Sequence, residues 1–369
     1  MKRRDFLKKA AVGAAVAGAS ATLISCGQQQ QQQETTKTTS KKIKWRMATS
    51  WPKAFDTIYG GAETVAARVK AMTNGQFEII PYAGGELVGG LEVFDAVSQG
   101  TVEMGHTASY YYVGKNPAFG FDTAIPFGLT YRQQNAWLYN GGGIEAMRKI
   151  YAEHNIVNFP AGNTGVQMGG WFRKEVNTVA DLQGLKMRIP GLGGKVMSRL
   201  GVTVQVLAGG EIYPALERGV IDATEWVGPY DDEKAGFYKV AKYYYHPGWW
   251  EPAPTLSLYV NQKAWDSLPK EYQEIIASAA AEANLDMMVD YDSKNPKALN
   301  SLVSKGVEMR EFSQEILEAA RKEAYALYDE LAAGDAQFKS IYEGWKAFKE
   351  ESDPWFNTAE ASYSRFNLK

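Results

Sequence analysis

From Lys44 onward, short apolar runs alternate with stretches whose apolar residues recur at helical spacing. That alternation constrains the fold more than any other feature, because it favours strands buried between helices. Residues 44–48, 77–81 and 102–107 read as strands, and 55–72 (Ile58, Val65, Val69, Met72) and 91–99 as helices. The pattern returns later, with strands at 185–189, 202–206 and 220–224 and helices at 193–200 and 212–218. One phrase occurs in both halves. Phe94-Asp95-Ala96-Val97-Ser98-Gln99-Gly100 parallels Tyr213-Pro214-Ala215-Leu216-Glu217-Arg218-Gly219, each a helix closed by a left-handed Gly and followed by a strand. Helix–Gly–strand is also a common connector, so the phrase is compatible with chance or with two similarly built lobes. At roughly 100–200 residues per domain, the 369 residues suit two α/β lobes. Beyond Pro269 the chain turns helical, at 271–292, 314–331 and 341–348. That is more helix than capping needs, and it is expected to brace the lobes or a second subunit.

Composition removes several functions. A formal charge of −2 gives no basic surface for nucleic acid. The single cysteine, Cys26, excludes a disulfide framework or a multi-cysteine zinc site, and His106, His154 and His246 are scattered singly. Gly191-Leu192-Gly193-Gly194-Lys195-Val196 lacks the hydroxyl residue of a P-loop and the third Gly of a dinucleotide loop. Asp231-Asp232-Glu233 reads as a solvated helix face, and Asp290 to Asp292 lacks the Gly and distal Glu of a calcium loop. With no Gly-x-Ser-x-Gly elbow either, no catalytic constellation emerges and an enzyme is not expected. The aromatic count of 10 Trp, 21 Tyr and 15 Phe suits a chain that encloses something, although core packing alone would also use it.

The first residues read as an address. Arg3-Arg4 with Phe6-Leu7-Lys8, then an uncharged Ala/Gly/Val run, matches a twin-arginine export signal. Leu23-Ile24-Ser25-Cys26-Gly27 resembles a lipobox, so residues 1–25 are expected to be removed and Cys26 lipidated. Residues 26–42, a Gln run followed by Thr, Ser and Lys, cannot bury enough apolar surface to fold and read as a flexible tether.

Three stretches are too polar, or too aromatic beside polar groups, for plain core. They are Gly165 to Arg173, read as a Gly-rich strand interrupted by Gln167; Leu185 to Pro190, with Arg188 at a strand end; and Thr224-Glu225-Trp226 with His246 to Pro252. In open α/β sheets ligands bind at the carboxyl ends of strands. An Arg there suits a carboxylate, which its planar fork meets with two parallel bonds. Two carboxylates and a Gln carbonyl are hard oxygen donors that suit Na⁺ or Ca²⁺. Taken singly, Arg188 could pair with a surface acid, Glu225 could neighbour a helix N-cap, and Gln167 could satisfy backbone groups.

Residues 170–228 resemble the solute-binding proteins of tripartite ATP-independent periplasmic (TRAP) transporters. The most specific match is Asp181-Leu182-Gln183-Gly184-Leu185-Lys186-Met187-Arg188-Ile189-Pro190, followed by Leu216-Glu217-Arg218-Gly219-Val220-Ile221-Asp222-Ala223. The likeness extends from about Ile43 to Lys369. It implies an α/β, two-lobe periplasmic-binding-protein-like fold with a hinge and long C-terminal helices. Lobe I would comprise 43–167 with about 254–310, lobe II 168–253 with part of the C-terminal region, and a helical extension 313–369. Within the family, Gly165 to Arg173, Glu225-Trp226 and Gly248 to Pro252 resemble the branch that binds 2-oxo or 2-hydroxy monocarboxylates with a cation. The resemblance then assigns Arg188 to the substrate carboxylate and Gln167, Glu225, Glu251 and the Trp226 carbonyl to Na⁺ or Ca²⁺. Gln167 and Trp226 would also touch substrate. The opposing lobe would contribute from Tyr110, Tyr111 and Tyr112, of which strand alternation puts Tyr110 and Tyr112 on one face. The implied partners are a membrane TRAP permease and a second copy of the chain. The competing readings are a receptor for an ATP-driven importer and an exported metal-dependent enzyme acting on a keto acid.

The anchor is directly testable. Wild type is expected to partition with membranes and Cys26→Ser to appear in the soluble extracytoplasmic fraction; an unchanged distribution would remove the lipoprotein assignment.

Overall fold

The computed structural model describes residues 42–368, so the expected export signal, Cys26 and nearly all of the tether lie outside the described residues. The strands are β1 (Ile43–Thr49), β2 (Phe77–Tyr82), β3 (Met104–Thr107), β4 (Ile156–Asn163), β5 (Trp171–Phe172), β6 (Lys186–Arg188), β7 (Thr203–Gln205), β8 (Ala223–Thr224), β9 (Tyr243–His246), β10 (Thr255–Asn261) and β11 (Glu308–Glu311). They form two sheets, ordered β2-β1-β3-β10-β4 and β11-β9-β5-β8-β6-β7. In each sheet one strand runs against the others. β10 is antiparallel to β3 and β4, and β5 is antiparallel to β8 and β9. Both follow a segment in which the chain has just crossed from the other sheet, 164–170 before β5 and 247–254 before β10. The crossing segments are tied to each other: Thr164 N donates to Pro254 O (3.1 Å), Gln167 N to Glu251 O (3.2 Å) and Gly248 N to Gln167 O (3.1 Å).

The repeated phrase behaves as its glycines require. Gly100 and Gly219 close helices Val93–Ser98 and Gly209–Glu217 with φ of 72° and 71°, a region that costs a residue with a Cβ. Most expected elements appear within a few residues of their expected ends. Three expectations change. Residues 308–310, given to the first lobe, belong to β11, which pairs with β9 in the second sheet. Gly165 to Gly170 is a crossing loop, with only Trp171–Phe172 as strand. Asp231 and Asp232, read as solvated, are buried in helix Pro229–Ala235.

The helix expected at 271–292 runs on as Lys270–Ser304, past Pro296, and packs on β4, on helix Asp56–Met72 and on helix Pro229–Ala235. Its apolar stripe uses Ala279, Ala280 and Ala283. Facing it, a Cβ on Gly61 would sit 2.5 Å from Met287 Cε, so the small residues set the close approach of the two helices. At the C-terminal end, helix Gln314–Gly334 lies on helix Gly191–Arg199, and helix Ala336–Phe356 on helices Tyr131–Asn140 and Gly143–Ala152. Trp345 and Phe338 pack on Phe121 with ring centroids 5.8 and 5.2 Å apart. Residues 314–345 therefore belong to the folded body, whereas Trp355, Tyr363, Phe366 and Leu368 are exposed.

The two buried acids explain part of how helix Pro229–Ala235 is held. Asp232 accepts from Trp171 Nε1 (3.0 Å) and the Tyr244 hydroxyl (2.6 Å), and Asp231 from the Tyr291 hydroxyl (2.8 Å). Burial pushes both carboxyls up to about 7 from an ordinary 3.8. They are therefore protonated in the fold at pH values where the unfolded chain has already ionised them, and their contribution to stability fades as pH rises through 7. Urea unfolding of wild type and Asp231→Asn from pH 4 to 8 tests the sign. Wild type is expected to lose stability relative to the variant as pH rises from about 4 to 7; a relative gain over that window would contradict it.

Candidate functional site

Parallel strands β6 and β8 are neighbours, with Arg188 opposite Thr224, and both end where the chain turns toward the first lobe. Arg188 and Glu225 therefore stand side by side at carboxyl ends of strands, where Glu225 N donates to Arg188 O (3.3 Å). The Arg188 guanidinium has no exposed surface. Its Nε donates to Leu207 O (3.1 Å), and its Nη1 to Glu225 O (3.2 Å) and to Glu225 Oε1. The Trp226 ring lies 5.3 Å from the guanidinium carbon.

The crossing segments deliver the other members. Gln167 and Glu251, each 4% exposed, come together because the two segments pair through their backbones. Gly248 permits that pairing: a Cβ there would lie 2.5 Å from Gln167 O. Gln167 Nε2 donates to Thr164 Oγ1 (3.1 Å), which turns the amide into one orientation. Four buried polar atoms of this group have no hydrogen-bond partner among the described residues: Gln167 Oε1, Arg188 Nη2, Glu225 Oε2 and Glu251 Oε2. One is a donor and three are hard oxygens, so the set suits a carboxylate on one side and Na⁺ or Ca²⁺ on the other. No group of three or more His, Cys, Asp or Glu suited to a metal occurs among the described residues. Any cation here would need the amide and main-chain oxygens as well.

Electrostatics fit the same picture. Burial pushes Glu225 up to about 7 against the pull of Arg188, and burial and Glu225 together push Glu251 well above the carboxylate range. Two acids and one guanidinium leave an excess of negative charge when both acids ionise. A cation would offset it.

The first lobe closes over this cluster. Phe55 packs on Trp226 (ring centroids 5.0 Å apart), and Trp51 approaches it edge-on at 6.4 Å. At the rim, Asp56 accepts from the Tyr230 hydroxyl (3.1 Å) and pairs with Lys234. The tyrosine expectation is corrected, because Ser109–Tyr112 is a 3₁₀ turn and strand alternation does not apply. Tyr110 and Tyr111 both lie within electrostatic reach of Arg188, Glu225 and Glu251. Tyr112 faces away: its hydroxyl bonds Thr107 Oγ1 (2.9 Å) and accepts from Phe94 N (3.3 Å) in the first lobe's core. Gly191, part of the rejected nucleotide-like loop, has φ of 67°, and a Cβ there would meet Tyr110 Cβ at 3.1 Å. Trp51, Phe55 and Leu207 escaped the sequence reading. The first two follow a strand as the Tyr run does, but nothing local separates them from ordinary core.

Residues 47–335 match the family model described as bacterial extracellular solute-binding protein, family 7. The chain belongs to that family. It is a TRAP-type solute-binding protein with the mixed α/β fold of periplasmic receptors. It is 57% identical over 99% of both chains to a monocarboxylate 2-oxoacid-binding periplasmic protein of Nostoc. A TRAP transporter solute-binding protein of Bordetella bronchiseptica is 50% identical, with TM-score 0.88 over 89% of this chain and 97% of that one. It is described as a mixed-occupancy dimer with copurified calcium and picolinate. A TRAP periplasmic solute-binding protein of Pseudoalteromonas atlantica with bound sodium and pyruvate is 43% identical, with TM-score 0.85 over 88% and 98%. Family membership assigns the protein to the TRAP receptors, rather than to those of ATP-driven importers, and to the periplasm. No helix among the described residues is long and apolar enough to cross a membrane.

The buried pair in this solute-binding protein makes its own demand. Removing one partner of a buried ion pair typically costs about 3–5 kcal/mol, while replacing both is close to neutral. Arg188→Met is expected to lower unfolding free energy by that order, and Arg188→Met with Glu225→Gln to recover most of it. Additive losses in urea titrations would show that the two side chains are not coupled.

Proposed function

We propose that this receptor captures a small 2-oxo or 2-hydroxy monocarboxylate, of the size of pyruvate or lactate, together with Na⁺ or Ca²⁺, and hands it to a membrane TRAP permease. The observation that carries the reading is the convergence of the unpartnered Arg188 Nη2 with the unpartnered oxygens of Gln167, Glu225 and Glu251 in one sealed site. Arg188 is the carboxylate clamp. Gln167, Glu225, Glu251 and the Trp226 carbonyl hold the cation, which would neutralise the acids and engage oxygens of the ligand. Trp226, Gln167 and Tyr110 wall the ligand, and Tyr111 takes the place in the wall that was expected of Tyr112. The names of the relatives support this choice of ligand. The protein releases its ligand unchanged; conversion of a bound 2-oxo acid, followed by NMR, would overturn that.

The body hangs from a lipid on Cys26 through the tether, on the extracytoplasmic side. Two copies associate through the exposed C-terminal face of Trp355, Tyr363 and Phe366, which are 62%, 66% and 77% exposed. The dimeric Bordetella relative supports that reading.

Titration calorimetry with pyruvate tests the site. Arg188→Ala strips a desolvated carboxylate of its partner, which costs about 2–5 kcal/mol, or roughly thirty-fold to several thousand-fold in affinity. Arg188→Lys is expected to bind poorly as well, since an ammonium lacks the fork. Chelation and ion-free dialysis should weaken wild-type binding, and Glu225→Gln should blunt the response to added Na⁺ or Ca²⁺. Wild-type affinity in Arg188→Ala would remove the clamp, and affinity indifferent to the ion would remove the cation. Sedimentation of the same wild-type preparation is expected to show a dimer.

A further inference from the structure

We infer that Trp51, held in place by His106, sets the length of ligand side chain that the site accepts, an inference that rests on the carboxylate-site reading above. Trp51 lies just beyond β1 in the first lobe and has no exposed surface. Its ring stands 6.4 Å from Trp226 and 6.2 Å from Tyr111. Trp226 lies 5.3 Å from the Arg188 guanidinium carbon, and Tyr111 is within electrostatic reach of the same group. Trp51 therefore fills the space between them from the lobe opposite the clamp, and a ligand held by its carboxylate on Arg188 extends toward this wall.

The wall is apolar and its position is fixed. Trp51 Nε1, a donor only, gives its hydrogen to His106 Nδ1 (2.8 Å). The imidazole proton must then sit on Nε2, which donates to Ala161 O (3.0 Å) on β4. With the N–H turned back into the first lobe, only hydrocarbon remains toward Tyr111 and Trp226. His106 has little room to move, since a Cβ on Gly61 of helix Asp56–Met72 would stand 3.2 Å from its Cε1. Burial pushes its pKa down to about 4, in keeping with a neutral ring that accepts at Nδ1. His106, which forms no metal motif, is in this reading a positioning residue acting through Trp51. An indole so held leaves room for a methyl-sized substituent and rejects a branched chain by overlap.

Calorimetry with pyruvate and 4-methyl-2-oxopentanoate, each with Na⁺ or Ca²⁺ present, tests this on the full mature chain. Wild type is expected to favour pyruvate. Trp51→Leu should move the affinity ratio toward the branched acid by about tenfold or more, the scale on which pockets discriminate alkyl size. Trp51→Phe should move it part of the way, and covers the case in which the leucine variant does not fold. His106→Leu should shift the ratio in the same direction, while His106→Asn, whose Oδ1 can replace Nδ1 as acceptor, should keep the wild-type ratio. A ratio unchanged in both Trp51 variants overturns the wall. His106→Asn shifting as far as His106→Leu overturns the positioning bond. A folded wild type that binds neither acid overturns the carboxylate-site reading and the wall together, a different result from unchanged selectivity in a protein that binds.

Discussion

A guanidinium without any exposed surface dictates the organisation of this molecule. Removing Arg188 from water is expensive unless oxygen surrounds it, and the chain supplies that oxygen from three places at once: the Leu207 carbonyl, the Glu225 carbonyl and the Glu225 carboxylate. One nitrogen is left over. The second acid, Glu251, has its own orphaned oxygen and is pushed toward the neutral form by burial and by Glu225. Such an arrangement is poor as a structural ion pair and well suited to accept a carboxylate and a cation together, each reducing the cost of burying the other.

The architecture that brings these groups together is the double crossing between the lobes. Gln167 and Glu251 are far apart in sequence, yet they meet because the outgoing and returning segments bond to each other along their backbones. The one strand against the grain in each sheet, β5 and β10, is the strand that directly follows one of these two paired crossing segments. A site built on crossing segments is coupled to the relative position of the lobes in a way that a site on one sheet is not. Closure of two lobes about such connections is the established motion of periplasmic binding proteins. Here the rim contact of Asp56 with Tyr230 and Lys234, and the aromatic contact of Phe55 with Trp226, are the points at which closure is registered.

Beneath the site, several polar groups act as fixed supports. Asp122 accepts from Ser109 (2.8 Å), Ser257 (2.6 Å), Tyr151 (2.9 Å) and Asn158 (3.2 Å), and Ser109 opens the turn that presents Tyr110 and Tyr111. Asp232 does the same for the second lobe through Trp171 and Tyr244. Buried hydrogen-bonded networks of this kind hold a wall in one geometry.

Much of this was legible without coordinates. Short apolar runs alternating with period-3.6 stretches located the α/β elements, the Gly100 and Gly219 caps marked the repeated phrase, and Arg188, Glu225, Gln167 and Glu251 stood out as polar residues in apolar or Gly-rich surroundings. Other features were not legible. Asp231 and Asp232 read as solvated because a helix N-terminus full of acid usually is, and only the packing of Tyr291, Tyr244 and Trp171 around them says otherwise. Tyr112 read as a partner of Tyr110 because both follow a strand, and a single 3₁₀ turn reversed that. Trp51 carries no local mark at all: its role comes from lying between Tyr111 and Trp226 and from a bond to His106, on a different strand. The sequence by itself determined which segments become strands and helices, and which side chains are too polar to be plain core, since both follow from short-range periodicity and composition. Only the tertiary structure decided which of those side chains meet and which aromatics close over them. Those contacts depend on two chain crossings and on the approach of one lobe to the other, and neither leaves a local trace in the order of residues.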